Sequence, residues 1–145
     1  MSDLSDLKRL TKEKEKEDMR KLQDTILDRL RSIKRDGIEE LINYLLERTD
    51  YFTAPASTKF HSNFDGGLAV HSHNVVELML QKNEQYKLGL SNDTIYLTGY
   101  LHDLCKCNIY EKTMRLKKDE VTGKWIGYAS YEIDEKIPLG HGEKS

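Results

Sequence analysis

The sequence has little of what marks secreted or membrane-spanning proteins. Among its 145 residues there are only two cysteines, Cys105 and Cys107, and they stand too close together for us to expect a bond between them. Free thiols are typical of a reducing compartment. No apolar stretch approaches the length of a transmembrane helix, and no apolar signal segment is present. We therefore expect a cytoplasmic protein without a membrane partner.

A strong excess of positive charge is also missing. The formal net charge is -2, so the chain as a whole lacks the basic field that draws a protein to nucleic acid. Charged residues make up 33% of the chain and hydrophobic residues 37%, partly because the N-terminal third is so polar. The length is still sufficient for one domain with a hydrophobic core.

Glycine and proline are absent from residues 1–35, which are rich in Lys and Glu. Apolar residues at spacings of three and four predict a long charged helix with one apolar face. They are Leu4, Leu7 and Leu10 and, after an interruption by the charged residues 12–18, Met19, Leu22, Ile26, Leu30 and Ile33. We favour a leading helix that lies along the domain with a solvated outer face. A helix that pairs with a second copy or with a partner, as in a coiled coil, is the alternative.

Asp36-Gly37 ends this segment, and residues 36–145 are expected to form the main domain. The helical period returns at residues 38–46. Residues 49–64 then change to small polar and aromatic side chains around Pro55, which favours a loop. The rings of this loop would either stack on a base or pin the loop to the core.

The next predicted helix carries His71. It begins after Asp65, which is expected to cap it, and after two glycines that allow close backbone approach. The predicted inner side consists of Leu68, His71, Val75, Leu78 and Met79. An inward histidine is either a satisfied core residue or a ligand. His73 lies about 200° further around the helix and is expected at the surface or in an interface.

A second apolar helix runs into the adjacent pair His102 and Asp103. A carboxylate in apolar surroundings needs a partner, which is either a metal ion or the ammonium group of Lys106. Imidazole and carboxylate together suit Mn, Fe, Co, Ni, Zn or Mg. Because neighbours on a helix point about 100° apart, facing segments must supply further ligands. The sequence offers His71 and His141.

Residues 110–134 alternate in polarity around a turn at Thr122-Gly123, which predicts a β-hairpin. The cations and rings of this segment are Lys112, Arg115, Lys117, Lys118, Lys124, Trp125, Tyr128 and Tyr131. Such a mixture would suit a nucleotide or single-stranded nucleic acid. A solvated hairpin with a few packed rings accounts for the same residues equally well.

Three separated motifs give the chain a specific resemblance. They are Gly66-Gly67-Leu68-x-x-His71, His102-Asp103-x-x-Lys106 and Gly140-His141-Gly142. In this order they resemble the HD superfamily of metal-dependent phosphohydrolases, in particular bacterial and phage members similar to the HD domain of YhaM-type 3′–5′ exoribonucleases. The resemblance covers about residues 36–145. It implies a mainly α, HD-domain-like helical bundle, here with a small β-hairpin insertion and a long N-terminal helix.

The resemblance also implies roles for individual residues. The expected metal ligands are His71, His102, Asp103 and His141. The expected catalytic residues are Asp103 and Lys106, and the expected substrate-binding residues are Lys106, His61 and Lys144. Asp103 would orient water or bridge two ions, while Lys106 would meet a phosphate oxygen as a point charge. His141 would bind a second ion or contact phosphate.

One departure from the family pattern concerns the end of the sequence. HD enzymes normally add an Asp ligand from a later helix, and many add a His before it, but this sequence ends at Ser145 without either. We therefore expect a fragment, a natural truncation, or a subunit that another chain completes. Three protein ligands with open positions still suffice for a catalytic metal site.

Two functional hypotheses follow. In the first, the protein is a metal-dependent phosphohydrolase that acts on a phosphoester of a nucleotide or oligonucleotide through a metal-activated water. In the second, it is a non-catalytic module that oligomerises through residues 1–35 and binds phosphate in a remnant pocket. Metal content and phosphodiesterase activity would separate the two.

Overall fold

The structure is a computed structural model that describes residues 3–59 and 61–133. In this part of the chain, four helices precede one antiparallel hairpin. The helices are α1 (Asp3–Arg31), α2 (Ile38–Glu47), α3 (Gly67–Gln85) and α4 (Asn92–Leu101), followed by a short 3₁₀ turn (Leu104–Lys106) and the strands β1 (Tyr110–Lys118) and β2 (Trp125–Ile133). The prediction of a mainly α fold with a long N-terminal helix and a small hairpin is confirmed. None of the described helices combines the length and the apolarity that a membrane span requires.

α1 has an exposed N-terminal half and a buried C-terminal half. The side chains of Leu4, Leu7 and Leu10 are all more than half exposed, whereas Ile26 and Leu30 are fully buried. The buried half packs against the other three helices. The C-terminal half of α1 is therefore part of the same hydrophobic core as the helices that follow. The division of the chain at residue 36 into two units stays a prediction.

Two matched leucine substitutions should distinguish the halves of α1. Leu30→Ala is expected to lower the free energy of unfolding by about 2–5 kcal/mol, because it removes a fully buried side chain and leaves a cavity. Leu7→Ala should change it by less than about 0.5 kcal/mol, because Leu7 is 59% exposed. Urea unfolding followed by circular dichroism measures both values. Equal losses would mean that the first half of α1 is packed in solution.

The loop between α2 and α3 is pinned to the core by Tyr51. This side chain is fully buried, and its hydroxyl donates to the carbonyl oxygen of Tyr100 at 2.7 Å. Burial raises the pKa of Tyr51, so the hydroxyl stays a neutral donor. Of the two interpretations of the loop aromatics, Tyr51 therefore follows the structural one. Its hydrogen bond also fixes the last turn of α4.

The inner face of α3 differs from the prediction at three positions. Leu78 is 53% exposed, whereas Ser72 and Val76 are fully buried. The helix is turned this way because α4 approaches it closely at Gly99, and Val76 is the residue opposite. The buried row thus runs from Leu68 through Ser72 to Val76, and His71 lies at its edge with 24% of its side chain exposed.

Asp65 does not cap α3, contrary to the prediction. Gly66 takes the N-cap position with φ 82°, and no side chain caps the helix. The carboxylate of Asp65 instead accepts hydrogen bonds from the hairpin, from Lys112 Nζ at 2.8 Å and from the Tyr131 hydroxyl. Asp65 therefore ties the start of α3 to the hairpin, an arrangement that local sequence rules for helix caps do not foresee.

The predicted hairpin is present, with Tyr110 opposite Ile133 and Lys118 opposite Trp125. At its base, the Tyr110 hydroxyl donates to the carbonyl oxygen of Ala56 at 3.3 Å. Residue 134, at the end of the predicted hairpin, lies outside the described residues. Tyr110 and Asp65 together fix the hairpin against the loop that leads into α3.

Candidate metal centre

The end of α4 presents the pair His102 and Asp103. The helix ends at Leu101, so the pair follows the helix instead of lying inside it as predicted. His102 closes the helix, and Asp103 precedes the 3₁₀ turn with φ -111°. Successive side chains of a regular helix point about 100° apart. Leaving the helix at this point lets the two neighbouring side chains face one position.

Three atoms from this pair and from α3 form a nearly equilateral triangle. The distance from His71 Nε2 is 3.3 Å to His102 Nε2 and 3.3 Å to Asp103 Oδ2. The third side, from His102 Nε2 to Asp103 Oδ2, is also 3.3 Å. Ligand atoms about 2.1 Å from one ion lie roughly 3.0 to 3.4 Å apart in octahedral and tetrahedral sites. The spacing of the triangle therefore fits three ligand atoms of one metal site. Among the described residues, His71, His102 and Asp103 form the cluster that could hold a metal ion.

A backbone carbonyl sets the tautomer of His102. The ring atom Nδ1 lies 2.7 Å from the carbonyl oxygen of Gly99. Because a carbonyl oxygen only accepts, Nδ1 carries the proton, and the lone pair of a neutral ring is left on Nε2, in the triangle. A histidine that binds a metal through one nitrogen commonly donates from the other in this way. The orientation of His102 thus suits a ligand.

The imidazole of His71 is held neutral by its surroundings. Burial lowers its pKa, although the nearby Asp103 carboxylate opposes this effect. A neutral imidazole is the form that binds a metal. The exposed ring of His61 lies against it, with 4.8 Å between the ring centroids. His61 is therefore at the solvent side of the triangle, and its role as a substrate contact stays a prediction.

The carboxylate of Asp103 is almost completely buried and has a cation beside it. Only 5% of its side chain is exposed, and Oδ2 accepts from Lys106 Nζ at 3.0 Å. The ion pair that the sequence left open as an alternative is therefore formed. It does not exclude a ligand role, because the same oxygen faces both imidazoles. Lys106, with 15% of its side chain exposed, is positioned beside the triangle.

A second polar cluster joins α1 to the two helices that carry these residues. His73, which was expected at the surface or in an interface, is not a surface residue: only 20% of its side chain is exposed, and Nδ1 lies 3.1 Å from the Tyr100 hydroxyl. Arg29 of α1 donates to that hydroxyl at 3.1 Å and also pairs with Glu77. No motif marked Arg29 or Tyr100. The sequence marks Tyr100 only by its position in an apolar run, two residues before His102.

Two predicted site residues, His141 and Lys144, lie outside the described residues. The cysteines beside the centre are not joined in a disulfide, and both are partly buried. Burial raises the pKa of Cys107 to about 12, so it stays a neutral thiol, whereas metals bind the thiolate. The interpretation of these cysteines as small packed residues agrees with this environment.

Comparison with known proteins finds relatives of one kind. The chain is 30% identical over 122 residues to the 3′–5′ exoribonuclease YhaM of Geobacillus sp. (strain WCH70), which covers 83% of this chain and 33% of the relative. Over 116 residues it is also 30% identical to the 3′–5′ exoribonucleases YhaM of Bacillus pumilus and Bacillus subtilis, covering 79% of this chain and 36% of each relative. The chain thus spans about a third of the length of the curated relatives it matches.

No family model matches the chain. No solved structure matches it either. The similarity to YhaM is nevertheless of the kind that the three sequence motifs suggested, and it supports a relationship to HD-domain proteins.

The environment of the histidines predicts a pH dependence of stability. Burial lowers the pKa of both His71 and His73. As the pH falls through about 6.5, these groups take up protons in the unfolded chain before they do so in the folded protein, which favours unfolding. We therefore expect the melting temperature in the presence of a chelator to fall steadily from about pH 7 to about pH 5. His73→Gln should reduce the slope, and a flat profile in the wild type would contradict the expectation.

Proposed function

We propose that the chain is an HD-type, metal-dependent phosphohydrolase that cleaves a phosphoester of a nucleotide or of an oligonucleotide 3′ end. The observation that carries the proposal is the convergence of His71 with His102 and Asp103, at mutual distances of 3.3 Å, from separate helices. The 30% identity to 3′–5′ exoribonucleases favours a nucleic-acid phosphoester as the substrate class.

The donor set agrees with a divalent cation. Two imidazole nitrogens and one carboxylate oxygen suit Mn, Fe, Co, Ni, Zn or Mg, and three protein ligands leave positions open for water and substrate. When bound, such an ion lowers the pKa of a coordinated water and polarises a phosphoryl oxygen. His71, His102 and Asp103 would hold it.

The other contributions come from residues of the chain. The Gly99 carbonyl keeps the proton of His102 on Nδ1. Asp103 accepts a hydrogen bond from the attacking water and so orients it. Lys106, now 3.0 Å from Asp103, turns one of its three N–H groups to a non-bridging phosphate oxygen and stabilises the charge that develops there. His61 contacts the substrate at the mouth of the site.

Metal content and a substrate panel test the proposal. Protein purified without chelators would be analysed by mass spectrometry for the six candidate metals, and chelated protein would be reloaded with each metal separately. The panel contains a chromogenic phosphodiester, nucleoside mono- and triphosphates, and a single-stranded RNA labelled at its 5′ end. We expect a bound metal and hydrolysis of at least one substrate. Failure to bind any of the six metals, with no turnover across the panel, would overturn the proposal.

A second candidate function is a non-catalytic module that oligomerises through α1. The exposed leucines Leu4, Leu7 and Leu10 favour it, since they form an uncovered apolar stripe. Deleting all of residues 1–35 would not be a clean test, because Ile26 and Leu30 belong to the core. Deleting residues 1–18 leaves that core intact. Loss of a dimer on this deletion, measured by light scattering in protein without metal or turnover, would favour the module.

A further inference from the structure

A groove with a volume of about 520 Å³ lies between the hairpin and the loop that leads into α3. The residues of its lining that carry charge, an amide or an aromatic ring include Lys59, Asn63, Lys112, Arg115, Tyr128 and Tyr131. Three cations and the carboxylate of Asp65 line the groove, and the carboxylate of Glu132 lies beside it in an ion pair with Arg115. The groove therefore has a positive local charge, although the chain as a whole has a net charge of -2.

One loop separates this groove from the candidate metal centre. Lys59 and Asn63 line the groove, while His61, between them in the sequence, lies against His71 with 4.8 Å between the ring centroids. The hairpin wall is fixed in place by the hydrogen bond from Tyr110 to Ala56. A ligand held in the groove would therefore pass the edge of the metal centre.

The charges of the groove are not equally available to a ligand. Lys112 and Tyr131 both bind Asp65, so their end of the groove is neutralised and the Tyr131 ring is held in a fixed position. Arg115 pairs with Glu132 at 3.2 Å on an exposed surface, where an ion pair contributes little and exchanges readily. Lys59 is exposed and forms no ion pair with the described residues.

Tyr128 provides a ring beside these cations. It is 38% exposed, and the ammonium group of Lys117 lies 5.5 Å from the centre of its ring. Cations that follow a phosphate backbone, interleaved with rings on which bases stack, are the recurring features of sites for single-stranded nucleic acid. A free phosphate would make no use of the rings, and a duplex does not offer its base faces to them.

We infer that this groove binds a single-stranded oligonucleotide, with Lys59 and Arg115 meeting phosphates and Tyr128 stacking on a base, so that one end of the strand reaches the metal centre. The inference rests on the proposed function, because the placement of that end matters only if the centre cleaves phosphoesters. Binding in the groove, however, does not require the metal and can be measured without it.

The test measures fluorescence anisotropy of labelled single-stranded RNA and DNA with the full chain in excess chelator. Lys59→Glu with Arg115→Glu is expected to weaken binding about tenfold or more at low salt. Its matched control, Lys8→Glu with Lys14→Glu, makes the same change in net charge on the exposed half of α1 and should have little effect. Because Arg115 lies on a strand, Lys59→Glu alone is included as a variant that leaves the hairpin unchanged.

The aromatic contribution has its own matched pair. Tyr128→Ala should weaken binding about fivefold or more, because a stacked base is lost. Tyr86→Ala is the control, since Tyr86 is 61% exposed and has the ammonium group of Lys82 at the same distance of 5.5 Å from its ring, but lies outside the groove. An oligonucleotide that lacks bases should lose this effect.

The outcomes separate the groove from the metal centre. Weakened binding in the groove variants alone, with metal uptake unchanged, supports the inference, and it does so even if the wild-type protein proves inactive on every substrate. Absence of binding by the wild-type chain, equal losses in the groove and control variants, or equal affinity for a duplex would each overturn it. Hydrolysis of a small phosphodiester without oligonucleotide binding would agree with the proposed function and contradict the inference that the groove binds an oligonucleotide.

Discussion

Replacing Asp103 with asparagine is expected to abolish metal binding and phosphoester hydrolysis together. The amide keeps the shape of the side chain but removes the only negative charge of the triangle. It also places a neutral group where Oδ2 now faces His71, His102 and Lys106 at 3.0–3.3 Å. We expect metal affinity to fall at least about a hundredfold and kcat/KM by about a thousandfold or more. Calorimetric titration and hydrolysis of a small phosphodiester measure these values.

Three variants make this result specific. His71→Ala and His102→Ala should reproduce the loss, because each removes one corner of the triangle. His73→Ala should keep metal affinity, since His73 lies on the same helix as His71 but binds the Tyr100 hydroxyl. Retention of full metal affinity by Asp103→Asn would mean that the cluster is a buried ion pair and not a metal centre.

The loss of a buried charge complicates the stability of this variant. Asp103→Asn leaves the ammonium group of Lys106, which is only 15% exposed, without its carboxylate partner. Unpaired buried charges are destabilising by several kcal/mol. The double variant Asp103→Asn with Lys106→Met removes both charges and should regain part of the stability without regaining metal affinity. If Asp103→Asn loses the metal because the protein unfolds, the double variant should bind metal again. If it loses the metal because a ligand is missing, the double variant should still fail to bind it.

The meeting of His71 with the His102-Asp103 pair is implied by the resemblance of the three motifs to the HD superfamily, and the structure brings these three side chains together. The fourth expected ligand, His141, lies outside the described residues. The helix periods also located the core residues Ile26 and Leu30. The positions of the core residues depend on local spacing, which is readable without knowing how the helices pack.

The features that the sequence did not reveal depend on packing between distant segments. The environment of His73 is decided by Tyr100 and Arg29. Tyr100 lies 27 residues from His73 in the sequence, and Arg29, which donates to the Tyr100 hydroxyl, lies 71 residues from Tyr100. Asp65 has the right residue type for a helix cap, but the hairpin offers it Lys112 and the Tyr131 hydroxyl instead. In both cases a long-range partner overrides the local preference.

Replacing Gly99 with alanine is expected to weaken both the fold and the metal centre. An added Cβ would lie 2.4 Å from Cγ2 of Val76 and 3.2 Å from Sδ of Met79. Val76 is fully buried and cannot move aside, so α3 and α4 must separate. We expect a loss of about 1–3 kcal/mol in the free energy of unfolding. Because His71 belongs to α3 and His102 follows α4, the same separation should lower metal affinity about tenfold.

A compensating substitution distinguishes this explanation from general damage. Val76→Ala removes the Cγ2 methyl group that the new Cβ would meet at 2.4 Å. The double variant should therefore be more stable and bind metal more tightly than the sum of the single changes predicts. Chemical unfolding and calorimetric titration of the four proteins measure the coupling in both quantities. Coupling in stability but not in metal affinity would show that the distance between α3 and α4 at Gly99 does not set the geometry of the triangle. Coupling in both would make this close contact the structural origin of the 3.3 Å spacing between the two imidazoles.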